Sequence, residues 1–259
     1  MRILFIGDIV GRPGRSMLAE YLPGLGREYG PDLIIANGEN AASGVGLTRD
    51  TGDEIFSAGV DVITMGNHVW DKREIADYIV QEPRVIRPAN YPGNPPGRPS
   101  VVVDVKGCPV GVVNASGRVF NTILLDCPFR RLSEEIEILN RETAVVIVDF
   151  HAEATSEKVA MGWYLDRRVT AVIGTHTHVQ TADEMILPGG TAYITDVGMT
   201  GPYHSVIGIR TDVVLDRFLT QIPAKFEVAK GPRQFSAVLV EADHKTGKAR
   251  EIRRIFIRE

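Results

Sequence analysis

Short apolar runs that stop at polar or ionisable residues recur along the chain, and most lead into amphipathic stretches. Arg2 to Gly7 is short, apolar and ended by Gly7-Asp8, which predicts a fully buried strand. Gly11 to Gly14 turns the chain into a stretch of helical period from Arg15 to Tyr29. Leu33 to Asn37 predicts a second strand, ending in Gly38-Glu39-Asn40, and Asp50 to Ala58 a helix. Val60 to Met65 predicts a third strand that delivers Gly66-Asn67-His68, with Lys72 to Gln81 helical behind it. Three strand-then-helix units in a row predict right-handed crossovers and a mostly parallel sheet with helices on its faces. In such sheets ligands sit outside the carboxyl ends of the strands.

The middle of the chain changes character. Pro88 to Pro99 is proline-rich and predicts an irregular, semi-rigid loop. Val101 to Val105 and Val110 to Asn114, around Lys106-Gly107, predict a hairpin that starts a second sheet. Residues 115–128 show no period and read as a surface excursion, either a rim of a site or a subunit contact in a homo-oligomer. Phe129 to Asn140 predicts a helix. Ala144 to Val148 then runs into Asp149-Phe150-His151, and a helix opens at Thr155-Ser156-Glu157-Lys158 with capping residues at its head. Val169 to Ile173 predicts a strand ending in Gly174-Thr175-His176-Thr177-His178. The remainder, through Met185-Leu187, Ala192-Ile194, Phe235-Val240 and Ile252-Ile257, predicts antiparallel strands. No linker composition or internal repeat interrupts the chain, so the expectation is one two-layered α/β domain over residues 1–259.

Composition narrows the partners. The 259 residues are 44% apolar and 24% charged, as in an ordinary globular protein. A net charge of -4 argues against duplex nucleic acid but leaves room for a small anion, because a metal site supplies its own positive charge. The first residues lack a signal-peptide pattern, and no run approaches the roughly 18 apolar residues of a membrane helix. The expected location is therefore cytoplasmic and off the membrane. Cys108 and Cys127 make no disulfide framework and read as buried hydrophobes.

Four of the six histidines lie at the strand ends, beside Asp8, Glu39, Asn40 and Asn67. Taken singly, a histidine after a strand is more often a hydrogen-bonded interior residue than a ligand, and an Asp or Asn there is a turn or cap residue. Five strand ends carrying metal-competent side chains, in a fold that brings strand ends together, favour one shared metal site. His176 and His178 are two residues apart, which on an extended segment points both rings to one side, toward neighbouring ions. Glu39 has two carboxylate oxygens and can bridge them.

Gly7-Asp8, Gly38-Glu39-Asn40, Gly66-Asn67-His68, His151 and Gly174-Thr175-His176-Thr177-His178 resemble the ordered motifs of the calcineurin-like metallophosphoesterases. The fuller wording Gly38-Glu39-Asn40-Ala41-Ala42, Gly66-Asn67-His68-Val69-Trp70-Asp71 and Gly174 to Gln180 is similar to the YmdB-like cyclic-nucleotide phosphodiesterase branch. The resemblance implies an αββα sandwich of mixed parallel and antiparallel sheets. It implies Asp8, Glu39, Asn40 and His178 around one ion and Glu39, Asn67, His151 and His176 around the other. Two departures from the wider superfamily stand out: Asp8 is followed by Ile9-Val10 rather than a paired histidine, and Glu39 takes the place of a bridging Asp. Asn40 is the candidate for the vacancy, through its carbonyl oxygen. The ligand types suit two divalent or trivalent ions, and the branch puts iron ahead of manganese, with zinc also compatible. The implied reaction is hydrolysis of a small phosphodiester, such as a 2′,3′-cyclic nucleotide, by metal-activated hydroxide, with His68 as general acid.

Weaker candidates are Arg12 as a phosphate contact, His204 at a substrate border and Asp183 orienting an imidazole. The Gly7–Gly14 turn lacks both Gly-x-Gly-x-x-Gly and a Gly-Lys-Ser/Thr ending, which excludes the common nucleotide-binding loops. An amidohydrolase-type barrel fits poorly, since His-x-His comes late here. The rival from another class is a regulatory protein that binds metal and nucleotide with little turnover.

Overall fold

The computed structural model describes residues 1–259. β1 (Arg2–Ile6) and the short β2 (Asp8–Ile9) lead into α1 (Gly11–Tyr29). β3 (Leu33–Asn37), α2 (Arg49–Ser57), β4 (Val62–Thr64), α3 (Ile75–Gln81) and β5 (Val85–Ile86) complete the first half. The hairpin β6 (Ser100–Val105) and β7 (Cys108–Ser116) is followed by α4 (Pro128–Leu139), β8 (Val145–His151), α5 (Thr155–Leu165) and β9 (Ala171–Thr175). β10 (Met185–Ile186), β11 (Ala192–Ile194), β12 (Met199–Pro202) and α6 (Thr211–Thr220) precede the long hairpin β13 (Arg233–Ala242) and β14 (Ala249–Arg258).

Two sheets result. The first runs β2-β12-β13-β1-β3-β4-β5 with β14 on β13, and the second β10-β11-β9-β8-β7-β6. β1, β3, β4 and β5 are parallel, and β13 joins β1 antiparallel. β7, β8, β9 and β11 are parallel, with β6 and β10 antiparallel at the edges. Alternate side chains of each strand serve different layers. Ile3 and Phe5 of β1, with Ile35 and Val62, meet Val112, Ile147 and Ile173 of the other sheet. Leu4 and Ile6 face outward to Met17 and Leu18 of α1. On the far side, Val146, Val148 and Phe150 of β8 pack against Leu132 and Ile136 of α4 and Met161 of α5. Both faces of each central strand are thus buried, which is why the strands read as unbroken apolar runs. Each fully buried side chain of this size contributes about 1.5–3 kcal/mol. The architecture is the αββα sandwich.

Several local expectations change. Helices cover only one face of the first sheet, because the second sheet covers the other. α1 takes in the Gly11–Gly14 segment, with Pro13 in a first turn whose N–H groups need no intrahelical partner. α5 is preceded by Ala154, whose methyl group cannot cap, and Glu157 in its first turn accepts the N–H groups of Arg118 and Val119 rather than closing a capping box. α6 and β12 were not legible: α6 buries only Val214, so its apolar face carries no core periodicity. β11 pairs parallel, not antiparallel, with β9. Both cysteines are free and half-buried rather than buried. No helix is long and apolar enough to cross a membrane.

Candidate metal centre

Both sheets present their carboxyl ends to one place. Asp8 comes from β2, Glu39 and Asn40 from the turn after β3, and Asn67 and His68 from the turn after β4. His151 ends β8, and His176 and His178 follow β9.

The tightest cluster is centred on Nε2 of His151. It lies 3.0 Å from Oε1 of Glu39, 3.0 Å from Oδ1 of Asn67 and 2.9 Å from Nδ1 of His176. Nδ1 of His151 faces the Thr175 hydroxyl at 2.9 Å, and that hydroxyl donates to Asp149 at 2.7 Å. Nδ1–H therefore donates to Thr175, and the Nε2 lone pair turns to the cluster. His176 is turned the same way, because its Nε2 meets Glu153 at 3.0 Å and leaves Nδ1 for His151. A carboxylate oxygen, an amide oxygen and two imidazole nitrogens thus share one point. With Nδ1–H given to Thr175, a neutral His151 adds an acceptor to this point, and the set is then satisfied by a proton on Nε2 or by a bound cation. Glu39, His151 and His176 have these atoms within 4.8 Å of one another.

The ionisation of these groups follows from the crowding. Burial opposes a charge on His151, but Glu39, Asp8 and Asp149 more than offset it and push the imidazole up to about 9. Burial likewise works against the Glu39 carboxylate, yet His151 and the His68 amide hold it down to about 2. Burial and the neighbouring His151 charge depress His176 to about 3. Burial raises Asp149 to about 6, against the pull of His151 and bonds from Thr64, Thr175 and Asn37.

A second group gathers beside it. Oδ1 of Asp8 is fully buried and has no hydrogen-bond partner, and it lies 3.8 Å from Nε2 of His178. Nδ1 of His178 donates to the Ile207 carbonyl at 2.8 Å, which again turns the other nitrogen inward. Asn40 closes the group, 3.2 Å from His178 and 3.3 Å from the same Glu39 oxygen that meets His151. An orphaned buried carboxylate oxygen facing an imidazole nitrogen is compatible with a bound cation. Asn40 turns Nδ2, not its carbonyl oxygen, to these partners, so ligation through oxygen requires a half-turn of the amide.

The seven expected ligands therefore fall into two groups that share Glu39, but by a different backbone route from the one expected. His176 and His178 are not on an extended segment. Their φ angles are 102° and 66°, both left-handed, so the rings part and enter different groups. Non-glycine residues there cost about 1–3 kcal/mol each and persist only where the surroundings over-determine them. The surroundings are a buried ion pair. Lys158 bonds the Thr175 carbonyl at 2.6 Å and Asp196 at 2.5 Å, and Asp196 accepts the N–H groups of Thr177 and Gly198. Gly66 is required by space alone: a Cβ there would lie 2.3 Å from Glu39 Oε2 and 2.4 Å from His151 Nε2.

The His68 imidazole stands apart from both groups. Its N–H donates to Glu39 at 3.0 Å, and its Nδ1 pairs with Asp71 at 2.8 Å, leaving Nε2 available. Arg12 is exposed and lines a separate cavity with Lys225, Lys230 and Arg233. His204 is exposed against Tyr203, and Asp183 bonds Thr181 and Thr195 rather than an imidazole. Sequence reasoning missed Asp149, Thr175, Lys158, Asp196 and Glu153. Only Asp149 left a signal, being two residues before His151 on the same face of β8. A cavity of about 420 Å³ opens beside Asn67, His151 and His176, and Phe120, Asn121 and Thr122 form its rim. The 115–128 excursion thus borders the site.

A family model described as "YmdB-like protein" matches residues 4–255. A 2′,3′-cyclic-nucleotide 2′-phosphodiesterase of Bacillus subtilis (strain 168) is 51% identical over 259 residues, covering 100% of this chain and 98% of its own. The crystal structure of a novel phosphatase from Mycoplasma pneumoniae superposes with a TM-score of 0.94 at 36% identity, covering 100% of this chain and 93% of that one. An NAD nucleotidase of Haemophilus influenzae matches 99% of this chain and 55% of its own with a TM-score of 0.63 at 12% identity, a likeness of fold alone.

Proposed function

The chain belongs to the YmdB-like protein family, and on that footing we propose that it is a dinuclear metal-dependent phosphodiesterase acting on small diesters, 2′,3′-cyclic nucleotides first among them. The observation that carries the reading is the convergence of Glu39, Asn67 and His176 acceptor atoms on His151 Nε2, joined through Glu39 to the orphaned Asp8 oxygen. Glu39, Asn67, His151 and His176 would hold one ion, and Asp8, Glu39, Asn40 and His178 the other. Mixed carboxylate, amide and imidazole donors suit iron, manganese or zinc, and iron is our first choice. Ions bound there neutralise the charge of a phosphodiester and lower the pKa of the attacking water.

The chain's own residues do the rest. The Asp149–Thr175 relay holds His151 in the tautomer that exposes Nε2. Lys158 and Asp196 hold the turn that separates His176 from His178. Asp71 fixes the His68 ring through Nδ1, so that Nε2 is the atom that protonates the leaving alkoxide. Ligands drawn from both sheets support reading residues 1–259 as one domain. The partner is a small diester rather than duplex nucleic acid or a membrane, and the compartment the cytoplasm. Comparing hydrolysis of a 2′,3′-cyclic nucleotide by the metal-loaded and the chelator-stripped protein tests the reading.

A further inference from the structure

The cavity beside His151 and His176 has a rim that the chemistry above leaves unused. Phe120 lines it and is 83% exposed, with its backbone in the left-handed region at φ 63°. A phenyl ring in water and a left-handed backbone are both unfavourable, and hydrogen bonds anchor the chain on either side of the residue. Glu157, almost fully buried, accepts the N–H groups of Arg118 and Val119 at 3.1 Å on one side of Phe120. On the other side, the Asn121 side chain donates to the Gly117 carbonyl at 3.1 Å and accepts the Ile123 N–H at 3.0 Å. The backbone is therefore tied down on both sides of Phe120, whose side chain lines the cavity.

A ligand that sets a phosphate among Asn67, His151 and His176 has the remaining length of the cavity for its other end. About 420 Å³ is in the range of small-molecule sites. We propose that Phe120 is a stacking platform for a nucleobase, and that this cavity is the base subsite, with Thr122 beside it on the rim. The proposal rests on the phosphodiesterase reading for its phosphate end. It makes the substrate a nucleotide rather than any small diester, and it tolerates different bases, because every base offers a flat face to an aromatic ring. Leu124 is 90% exposed in the same loop but does not line the cavity, which provides a control.

The test compares kcat/KM on adenosine 2′,3′-cyclic phosphate with kcat/KM on glycerol 1,2-cyclic phosphate, which has no base. Phe120→Ala lowers that ratio about tenfold, Phe120→Trp preserves it, and Leu124→Ala leaves it unchanged, in line with the worth of one base stack. Calorimetric binding of adenosine 3′-monophosphate against ribose 5-phosphate gives the same ranking without turnover. A chain that hydrolyses no diester yet keeps a Phe120-dependent preference for the nucleoside phosphate retains the subsite and loses only the phosphodiesterase reading. The subsite is overturned by an unchanged ratio in Phe120→Ala. It is equally overturned if Phe120→Ala and Leu124→Ala shift the ratio alike and dissociate an oligomer in sedimentation.

Discussion

Nε2 of His151 stands 2.9 Å from Nδ1 of His176, with oxygens of Glu39 and Asn67 3.0 Å away on the same nitrogen. Two imidazole nitrogens approach that closely only when a hydrogen or a positive charge lies between them. In the metal-free protein a proton on His151 supplies that hydrogen, and the Glu39, Asp8 and Asp149 carboxylates outweigh burial and push the imidazole up to about 9 against 6.5 unperturbed. Metal uptake must expel that proton. Apparent metal affinity should therefore climb about tenfold per pH unit and flatten near pH 9. The sign for stability is opposite: the raised imidazole contributes to the metal-free fold in full below about pH 6.5, and that contribution is lost by about pH 9. Metal titrations at three pH values in buffers of different ionisation heat check this, and a pH-independent affinity contradicts it.

His68 and Asn67 are neighbours with different tasks. His68→Ala should keep close to full metal content and lose about 10²–10⁴ in turnover on a 2′,3′-cyclic nucleotide, the usual worth of a positioned proton donor. Asn67→Ala should lose metal, since its oxygen contacts His151. Elemental analysis beside diester kinetics separates the two, and full turnover in His68→Ala removes it as the acid.

Gly66→Ala places a methyl group into Glu39 and His151. The expected result is a loss of about 1–3 kcal/mol from overpacking, together with a fall in bound metal. Thermal denaturation and metal content should move together. A variant of ordinary stability and full metal content would show that the turn has room.

Lys158→Met removes one partner of a fully buried pair and leaves Asp196 uncompensated, which costs about 3–5 kcal/mol. Because Asp196 also holds the Thr177 N–H, the turn carrying His176 and His178 should loosen. Metal affinity should then fall by more than denaturation alone accounts for when measured well below the variant's melting temperature.

The strand ends were legible because each parallel strand is buried on both faces, so its apolar run ends abruptly where the site begins. That is true of Phe5-Ile6 before Asp8, of Ile35 before Glu39 and of Val148 before His151. The αββα layering itself came from the motif resemblance, since apolar runs alone do not say what covers each face. The route of His176-Thr177-His178 was not legible, because it is set by Lys158 and Asp196, whose contacts cross 38 residues of sequence. Thr175 escaped for the same reason, since it reaches His151 from the neighbouring strand β9, and Asp149 acts on His151 through the Thr175 hydroxyl rather than directly. α6 escaped because it packs little of itself on the core.

The most direct measurement is metal analysis of the purified chain, paired with rates on a chromogenic phosphodiester and the matching monoester. Two metal equivalents per chain and diester hydrolysis well above monoester hydrolysis, both abolished by chelation and restored by iron or manganese, are the predicted result. Two equivalents with no diester turnover under any of iron, manganese or zinc would contradict it, and would make the chain a binding protein instead.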